Sequence, residues 1–327
     1  KNTKNMPKVS VIIPVYGVEK YIERCARSLF EQTLDDIEYL FIDDCTPDRS
    51  IEVLIKVLED YPTRKEQVII HRMEQNSGQA AVRKWGMQNA TGGFVIHCDS
   101  DDWVEHDMYR QMYEQALLNK VDVVVCDFCI SDGYKMNKNR KACHSVNLDT
   151  FIENNLYQID SWSLCNKLFK RSLYCNDNII YPTGAMGEDM LVCIQLLLNS
   201  NGVAYVNEPF YYYYTNPSSI SKSKTIESIV YSFEQAKQNT DLMLSIFEKR
   251  GLQKRYKYGL NYVQFTVLRL ILPILKNDKK YYDVWLTTYK GMLKVFILNP
   301  GAGLKDKIRM VLAVCKLYPL KTFLQKI

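Results

Sequence analysis

Three aspartates stand within four positions of one another, directly after a short apolar run. The run is Phe94 to Cys98, and the acids that follow it are Asp99, Asp101 and Asp102. Clustered carboxylates repel one another and raise each other's pKa, so proteins tolerate them mainly where a cation neutralises them. Oxygen-only ligands at short spacing are typical of Mg²⁺ or Mn²⁺, which take one or two carboxylates and leave positions for water and phosphates.

The alternative is a purely structural role, in which Asp101 or Asp102 caps the helix expected near Glu105 to Leu117. That interpretation accounts for one acid and leaves two unexplained. An EF-hand is excluded, because the loop lacks a glycine at its sixth position and a glutamate at its twelfth.

The elements that must position these acids are strands alternating with helical segments. Runs of four to seven apolar residues predict strands at Lys8 to Pro14, Glu38 to Asp43, Gln67 to Arg72, Phe94 to Cys98 and Val121 to Phe128. Segments of helical period between them predict helices from Val18 to Phe30, from Thr46 as cap with Pro47 in the first turn, and across 77–90. The pattern predicts an α/β fold, a doubly wound and mostly parallel sheet flanked by helices.

In such a sheet, ligands bind beyond the carboxyl ends of the strands. A second acidic pair, Asp43-Asp44, ends the second strand, so both acidic groups should meet at one edge. Neither G-x-G-x-x-G nor G-x-x-x-x-G-K-[ST] follows the first strand. A usual dinucleotide fold and a P-loop are therefore not indicated.

Charge divides the chain unevenly. Residues 1–219 hold 22 Lys and Arg against 30 Asp and Glu, a balance of −8, whereas residues 220–327 hold 20 against 7, a balance of +13. From about Thr225 the pattern is almost continuously helical and predicts about four helices. We expect a domain at 1–220 and a basic α-helical domain at 221–327. The basic helices could contact a membrane surface or an anionic acceptor, or could simply present a solvated face.

The cysteines and the hydropathy of the sequence indicate the cellular compartment of the protein. The ten cysteines are scattered, several inside apolar runs, which favours a reducing compartment. Cys126 and Cys129 lack a second pair at zinc-finger spacing, so we expect no metal there. No apolar run of membrane-spanning length and no signal-peptide core is visible. The expectation is a cytoplasmic protein, with the inner face of the membrane as its alternative site and no nucleic-acid partner.

Four stretches in order resemble the motifs of the family 2 glycosyltransferases with a GT-A fold. They are VSVIIPVYGVEKYIERCARSLFEQTLDDIEYLFIDDCTPDRS, NSGQAAVRKWGMQNATGGFVIHCDSDD, SWSLCNKLFKRSLY and MGEDMLVCIQLL. The resemblance covers residues 8 to about 220 and implies a nucleotide-sugar donor, a divalent metal (Mn²⁺ or Mg²⁺) and transfer with inversion to a saccharide or lipid-linked saccharide, in cell-surface polysaccharide synthesis.

The resemblance also implies roles for particular residues. The residues expected to bind the donor are Pro14, Val15, Tyr16, Asp43, Asp44, Arg83, Asp99, Ser100 and Asp101. Within that set, Asp99-Ser100-Asp101 is the D-x-D motif, and the metal is shared among Asp99, Asp101 and Asp102. The catalytic base is Asp189, with Glu188 as its runner-up. Asn166 and Lys167 are expected on the acceptor side.

The sequence departs from the family at a few positions. Gly17 stands where the family usually has Asn, and Cys45 where it usually has Gly. None of these departures removes a carboxylate. The two acids at 188 and 189 could also serve only the dipole of the helix they open.

Two other functions remain as alternatives. A sugar nucleotidyltransferase should have a Gly-rich, Arg-containing loop after the first strand, and PVYGVEKY does not supply one. A non-catalytic saccharide- or nucleotide-binding module should have a damaged metal or base motif, whereas both motifs are intact.

Overall fold

The computed structural model describes residues 6–133, 136–140, 145–175, 179–215 and 225–318, with the backbone alone at 136–140. Nine strands form one sheet: β1 Val9–Val15, β2 Ile37–Asp43, β3 Val68–Arg72, β4 Phe94–His97, β5 Trp103–Val104, β6 Val123–Ser131, β7 Met136–Arg140, β8 Lys167–Lys170 and β9 Val203–Tyr214. Six helices accompany them before the helical region: α1 Ile22–Phe30, α2 Ser50–Glu59, α3 Gln79–Asn89, α4 Met108–Asn119, α5 Leu148–Leu156 and α6 Glu188–Asn199.

The sheet has the order β3-β2-β1-β4-β8-β6-β9-β5, with β7 paired to β6. Strands β3, β2, β1 and β4 are parallel, while β8 runs antiparallel to both β4 and β6. The apolar residues of β1, β2, β4 and β8 are buried, in one cluster with α1, α2 and α4 on one face and in a second with α3, α5 and α6 on the other, whereas Ile69 of the edge strand β3 is exposed. The predicted mostly parallel α/β sheet with flanking helices is confirmed.

The structure contradicts one predicted helix start and the capping alternative for Asp101 and Asp102. The second helix starts at Ser50, not after Thr46, because Thr46 donates its backbone N–H to Asp43 and its hydroxyl to Asp48. The backbone thus makes a turn at Thr46 before the helix starts. Neither Asp101 nor Asp102 caps the following helix, because α4 begins after Asp107.

The helical region follows from residue 225. Its helices are α7 Ile226–Lys249, α8 Lys257–Ile271, α9 Lys279–Thr287, α10 Met292–Ile297 and α11 Leu304–Val314. The sequence predicted one helix where α9 and α10 stand, and the chain breaks there at Gly291, whose φ of 84° is left-handed. Among the described residues, no helix combines the length and the apolar character needed to cross a bilayer.

The helical region packs directly on the sheet region. Met243, Phe247 and Leu260 of α7 and α8 belong to the same buried cluster as the residues of β6 and α6. Other residues of α7 and α8 form a third cluster with α9, α10 and α11. The domain boundary predicted at 220/221 falls outside the described residues and stays a prediction.

Candidate active site

Helix α3 lies close against β1 and delivers one arginine to the site. Gly86 permits the approach, since a Cβ at this position would lie 2.5 Å from Cγ2 of Ile12. Arg83, one turn earlier on the same helix, is buried. Burying a guanidinium is costly unless anions compensate it.

Three carboxylates from two distant segments compensate Arg83. Its Nη2 donates to Oδ1 of Asp99 at 2.7 Å, and its Nη1 donates to Oε1 of Glu188 at 3.1 Å. The same Nη1 contacts Asp189. One guanidinium therefore joins the D-x-D segment to the acidic pair that opens α6, and we call these four residues the arginine cluster.

The two acids of α6 differ in access to solvent. The side chain of Asp189 is 31% exposed, whereas that of Glu188 is 7% exposed. Burial raises the pKa of Glu188 to about 8, although Arg83 opposes the shift. Removal from water also raises the pKa of Asp189, again against the charge of Arg83. Near neutral pH Glu188 is therefore largely protonated, and Asp189 is the more accessible of the two acids.

A tyrosine of β9 fixes the D-x-D loop. The hydroxyl of Tyr211 accepts from the backbone N–H of Asp99 at 3.2 Å and donates to Oδ2 of Asp102 at 2.5 Å. Oδ1 of Asp102 accepts from the backbone N–H of Tyr214 at 2.6 Å. Burial, with Asp99 and Asp101 nearby, raises the pKa of Asp102 well above its usual range.

Asp101 is held through its backbone. Its carbonyl accepts from Nη2 of Arg24 at 3.0 Å, and the guanidinium of Arg24 stacks 3.7 Å from the ring centroid of Trp103. Sequence reasoning missed Arg24, because it lies on α1 and its role depends on contacts with residues about 80 positions away.

The predicted metal ligands do not all converge. Both oxygens of Asp102 point to β9, and the described residues contain no group of three or more His, Cys, Asp or Glu arranged to hold an ion. Both oxygens of Asp102 thus have protein partners, and its share in the metal stays a prediction. Asp99 and Asp101 are partly exposed, and two carboxylates fit an ion that takes its other ligands from phosphates and water.

Helix α7 holds the loop in front of the acidic pair. Nδ2 of Asn239 donates to the carbonyls of Gly184 and Met186 at 3.0 and 2.9 Å. Oε1 of Gln235 accepts from the backbone N–H of Met186 at 3.2 Å. The loop then turns at Gly187, whose φ of 80° favours glycine. The helical region thereby sets where Asp189 lies, a role that the sequence did not indicate.

The expected nucleoside side of the site lies at the ends of β1 and β2. Pro14 is half-buried, Val15 is buried and Tyr16 is exposed. Both oxygens of Asp44 accept backbone N–H groups, from Ser77 at 2.7 Å and Gly78 at 2.9 Å.

Asp43 is also fully engaged, accepting from Thr46 at 2.7 Å and from Arg72 at 2.9 Å. Cys45, which stands where the family usually has Gly, has a φ of 58°, so the departure keeps the left-handed turn. The two aspartates therefore shape this rim, and their contact with a base stays a prediction.

Three predicted contact residues prove to be buried. Ser100 lies below the surface of the D-x-D loop. Nζ of Lys167 donates to the carbonyls of Ser161 and Ser163 and to Oδ1 of Asn166, at 2.6 to 2.9 Å. Nδ2 of Asn166 donates to the carbonyl of Cys126 at 2.9 Å. Asn166 and Lys167 hold the loop before β8, and their place on the acceptor side stays a prediction.

His97 lies in the interior behind the cluster. Neither ring nitrogen has a hydrogen-bond partner among the described residues, and burial together with Arg83 lowers the pKa of His97 well below its usual range. The imidazole is therefore neutral and adds no second positive charge beside Arg83.

Comparison with known proteins agrees with this geometry. The model of the family described as glycosyl transferase family 2 matches residues 10–191. An uncharacterized glycosyltransferase, EpsJ of Bacillus subtilis, is 30% identical over 230 residues, which cover 66% of this chain and 64% of EpsJ. A cholesterol galactosyltransferase of Borreliella burgdorferi is 27% identical over 320 residues, 91% of this chain and 84% of that protein. The chain spans from about a third to just under two thirds of the first curated relatives it matches.

Solved structures share the fold. The structure of residues 1–349 of S. aureus TarS in complex with UDP aligns with a TM-score of 0.68 and 20% identity, over 95% of this chain and 88% of that one. This likeness extends through the helical region and identifies a GT-A-like fold. The D-x-D segment lies inside the matched range, and the acidic pair opening α6 falls within it too. The chain therefore belongs to glycosyl transferase family 2.

Proposed function

We propose that the chain transfers a sugar from a nucleotide-sugar donor to a hydroxyl acceptor, with inversion at the anomeric carbon. The observation that carries this proposal is the arginine cluster, in which one buried guanidinium touches both the D-x-D motif and the acidic pair of α6. A donor diphosphate near Asp99 and an acceptor hydroxyl near Asp189 would then lie on neighbouring sides of one small site.

Asp189 is the proposed base. A base must reach the proton it removes, and of the two acids Asp189 is the more exposed. Glu188 remains behind it as a largely protonated neighbour of Arg83. This arrangement leaves the guanidinium of Arg83 in contact with the side chains of Asp99 and Asp189.

The proposed step is a single displacement. The acceptor oxygen attacks the anomeric carbon as its proton moves to the Asp189 carboxylate. The bond from that carbon to the phosphate oxygen breaks, and its electron pair leaves on the diphosphate. A divalent cation bound by Asp101 and Asp99 would supply the charge that stabilises this leaving group.

UDP is the proposed nucleotide, because a solved structure of this fold was obtained with UDP. The proposed acceptors are saccharides or lipid-linked saccharides of the cell surface. A relative aligned over most of this chain is named for transfer to a lipid, cholesterol, which supports a lipid-linked acceptor as one form.

Nucleotide release from a panel of UDP-, GDP- and dTDP-sugars, with Mn²⁺ or Mg²⁺, tests the proposal. Replacing Asp189→Asn should lower transfer by about 100-fold or more, the usual contribution of a general base, and leave UDP affinity near that of the wild type. The matched control is Asp283→Asn, at an exposed acid of α9. Unchanged transfer in the Asp189→Asn variant would assign the base elsewhere. Absence of release with every donor would favour the non-catalytic module.

A further inference from the structure

Helix α11 is apolar on two opposite faces. Its inner face, with Met310 and Ala313, is buried against the third hydrophobic cluster. Leu304, Ile308 and Val311 recur at helical spacing on the opposite side. Leu304 is 69% exposed and Val311 43% exposed, so among the described residues this outer face is partly open to solvent. We call these three residues the apolar stripe.

The end of α10 also carries exposed apolar side chains. Leu298 is 73% exposed, and Ile297 beside it is exposed as well. A short turn of five residues separates Leu298 from the start of the stripe at Leu304. Large apolar side chains exposed together mark interaction sites in soluble proteins.

The segment that carries these apolar residues is basic. Between residues 290 and 318 the chain carries six Lys or Arg and a single acid, Asp306. That acid is paired with Arg309 at 2.8 Å. The lysines that remain include Lys294, Lys305 and Lys316, all exposed. This surface therefore presents excess positive charge around an apolar centre.

The combination fits an anionic lipid bilayer better than a protein or a nucleic acid. Protein interfaces are depleted in lysine, whereas helices that lie on membranes combine Leu, Ile or Val on one side with Lys at its margins. Nucleic-acid interfaces are polar and would leave the stripe without a partner. We propose that α11 and the end of α10 dock this enzyme on the surface of a membrane that contains anionic lipids.

The docking face connects physically to the site. Met186, three residues before Asp189, packs against the same third cluster that buries the inner face of α11. A membrane in contact with α11 would therefore act on the helical region, which also positions the loop before Asp189. The inference does not depend on the proposed transfer, because lipid binding is measured without turnover.

Sedimentation with vesicles tests the proposal on the whole chain. Vesicles of phosphatidylcholine alone and vesicles that also contain phosphatidylglycerol are compared. We expect binding only with phosphatidylglycerol, and weaker binding at high salt, because salt screens the lysines. Leu304→Ser with Val311→Ser should weaken the partition about tenfold or more. The control replaces Leu117 and Leu118 of α4 by Ser, where Leu118 is 75% exposed.

A charge series completes the test. Lys294→Gln with Lys305→Gln should weaken binding by about fivefold per lysine at low salt, while Lys56→Gln with Lys65→Gln should not. The Asp189→Asn chain should bind vesicles as the wild type does, which separates this inference from the proposed chemistry.

Four outcomes would overturn the proposal. The first is that the wild type does not sediment with anionic vesicles. The second is that the variant with Leu304→Ser and Val311→Ser, here called the stripe variant, binds vesicles as well as the wild type does. The third is a dimer that the stripe variant cannot form, which would assign the face to a second copy of the chain. The fourth is lowered thermal stability of that variant with vesicle binding intact, which would mean that the chain covers the stripe itself.

Discussion

The sheet region and the helical region differ in the kind of polar side chain that they bury. Between residues 6 and 215 the fold buries charged side chains, among them Arg83, Asp102, Lys167 and Glu188. In the described part of the helical region, 225–318, the polar side chains that are buried are amides and hydroxyls, such as Asn239 and Asn261, and no charged side chain is buried. Buried charge is costly, so each of these charged side chains needs close polar partners, whereas the buried amides hold backbone groups through neutral hydrogen bonds.

The strongest test of this difference between the two regions is to remove the positive charge of Arg83. Arg83→Met should destabilise the protein by about 3–5 kcal/mol, because Asp99, Glu188 and Asp189 lose their common partner. Transfer activity should be lost in the same variant. Urea unfolding measures the first effect and nucleotide release the second.

The matched control lies in the other region. Lys237 pairs with Asp241 on α7 at 2.5 Å, and both side chains are about two-fifths exposed. Lys237→Met should cost at most about 1 kcal/mol. Equal losses of stability in the two variants would mean that the buried ion pairs of Arg83 stabilise the fold no more than an exposed pair does.

The second prediction concerns the amide that reaches from one region to the other. Asn239→Ala removes two hydrogen bonds from the loop before Glu188 and should cost about 1–3 kcal/mol. We expect kcat to fall by about tenfold or more, since small displacements of a catalytic group are expensive, while KM for the donor changes little. Steady-state kinetics with the folded variant measures both.

Asn261→Ala is the control for that variant. Asn261 is also buried, and its Nδ2 donates to the carbonyl of Met292 at 3.2 Å, within the helical region. It should lower stability by a similar amount and leave kcat unchanged. If both variants lost kcat alike, the effect of Asn239 would be one of stability and not of position.

Sequence patterns predicted most of the sheet and the acids of the site. The apolar runs gave β1 to β4 within one or two residues, because buried parallel strands need unbroken apolar sequence. The acidic pair at 188 and 189 was expected to open a helix, and α6 begins at Glu188. Strand β8 was not predicted, since its four residues include two lysines.

What the sequence could not indicate are partners that lie far apart along the chain. Tyr211 meets Asp102 across 109 positions, and nothing in YYYYTNPSSIS singles that tyrosine out. Lys167 was expected on the acceptor side from the family resemblance, and lysine seldom lies inside a protein. It is buried because two carbonyls and Asn166 accept its three protons, a geometry that only the folded loop supplies.

The smallest effect at neutral pH is expected for Glu188, the more buried acid of the pair that opens α6. Glu188 has a folded-state pKa of about 8, above its ordinary value of 4.5. The folded protein therefore holds this proton more tightly than the unfolded chain, so Glu188 makes stability fall as pH rises between these values. Glu188→Gln resembles the protonated acid and should change stability by less than about 1 kcal/mol near neutral pH.

The difference should appear in alkaline solution. Unfolding measured from about pH 5 to about pH 9 should show a shallower loss of stability in Glu188→Gln than in the wild type. Asp189 and Asp102, whose pKa values are also raised, contribute to the slope that remains. Glu227→Gln, at an exposed acid of α7, should keep the wild-type slope. A wild-type slope in Glu188→Gln would mean that Glu188 is ionised beside Arg83 throughout, and the cluster would then hold three carboxylates against one cation.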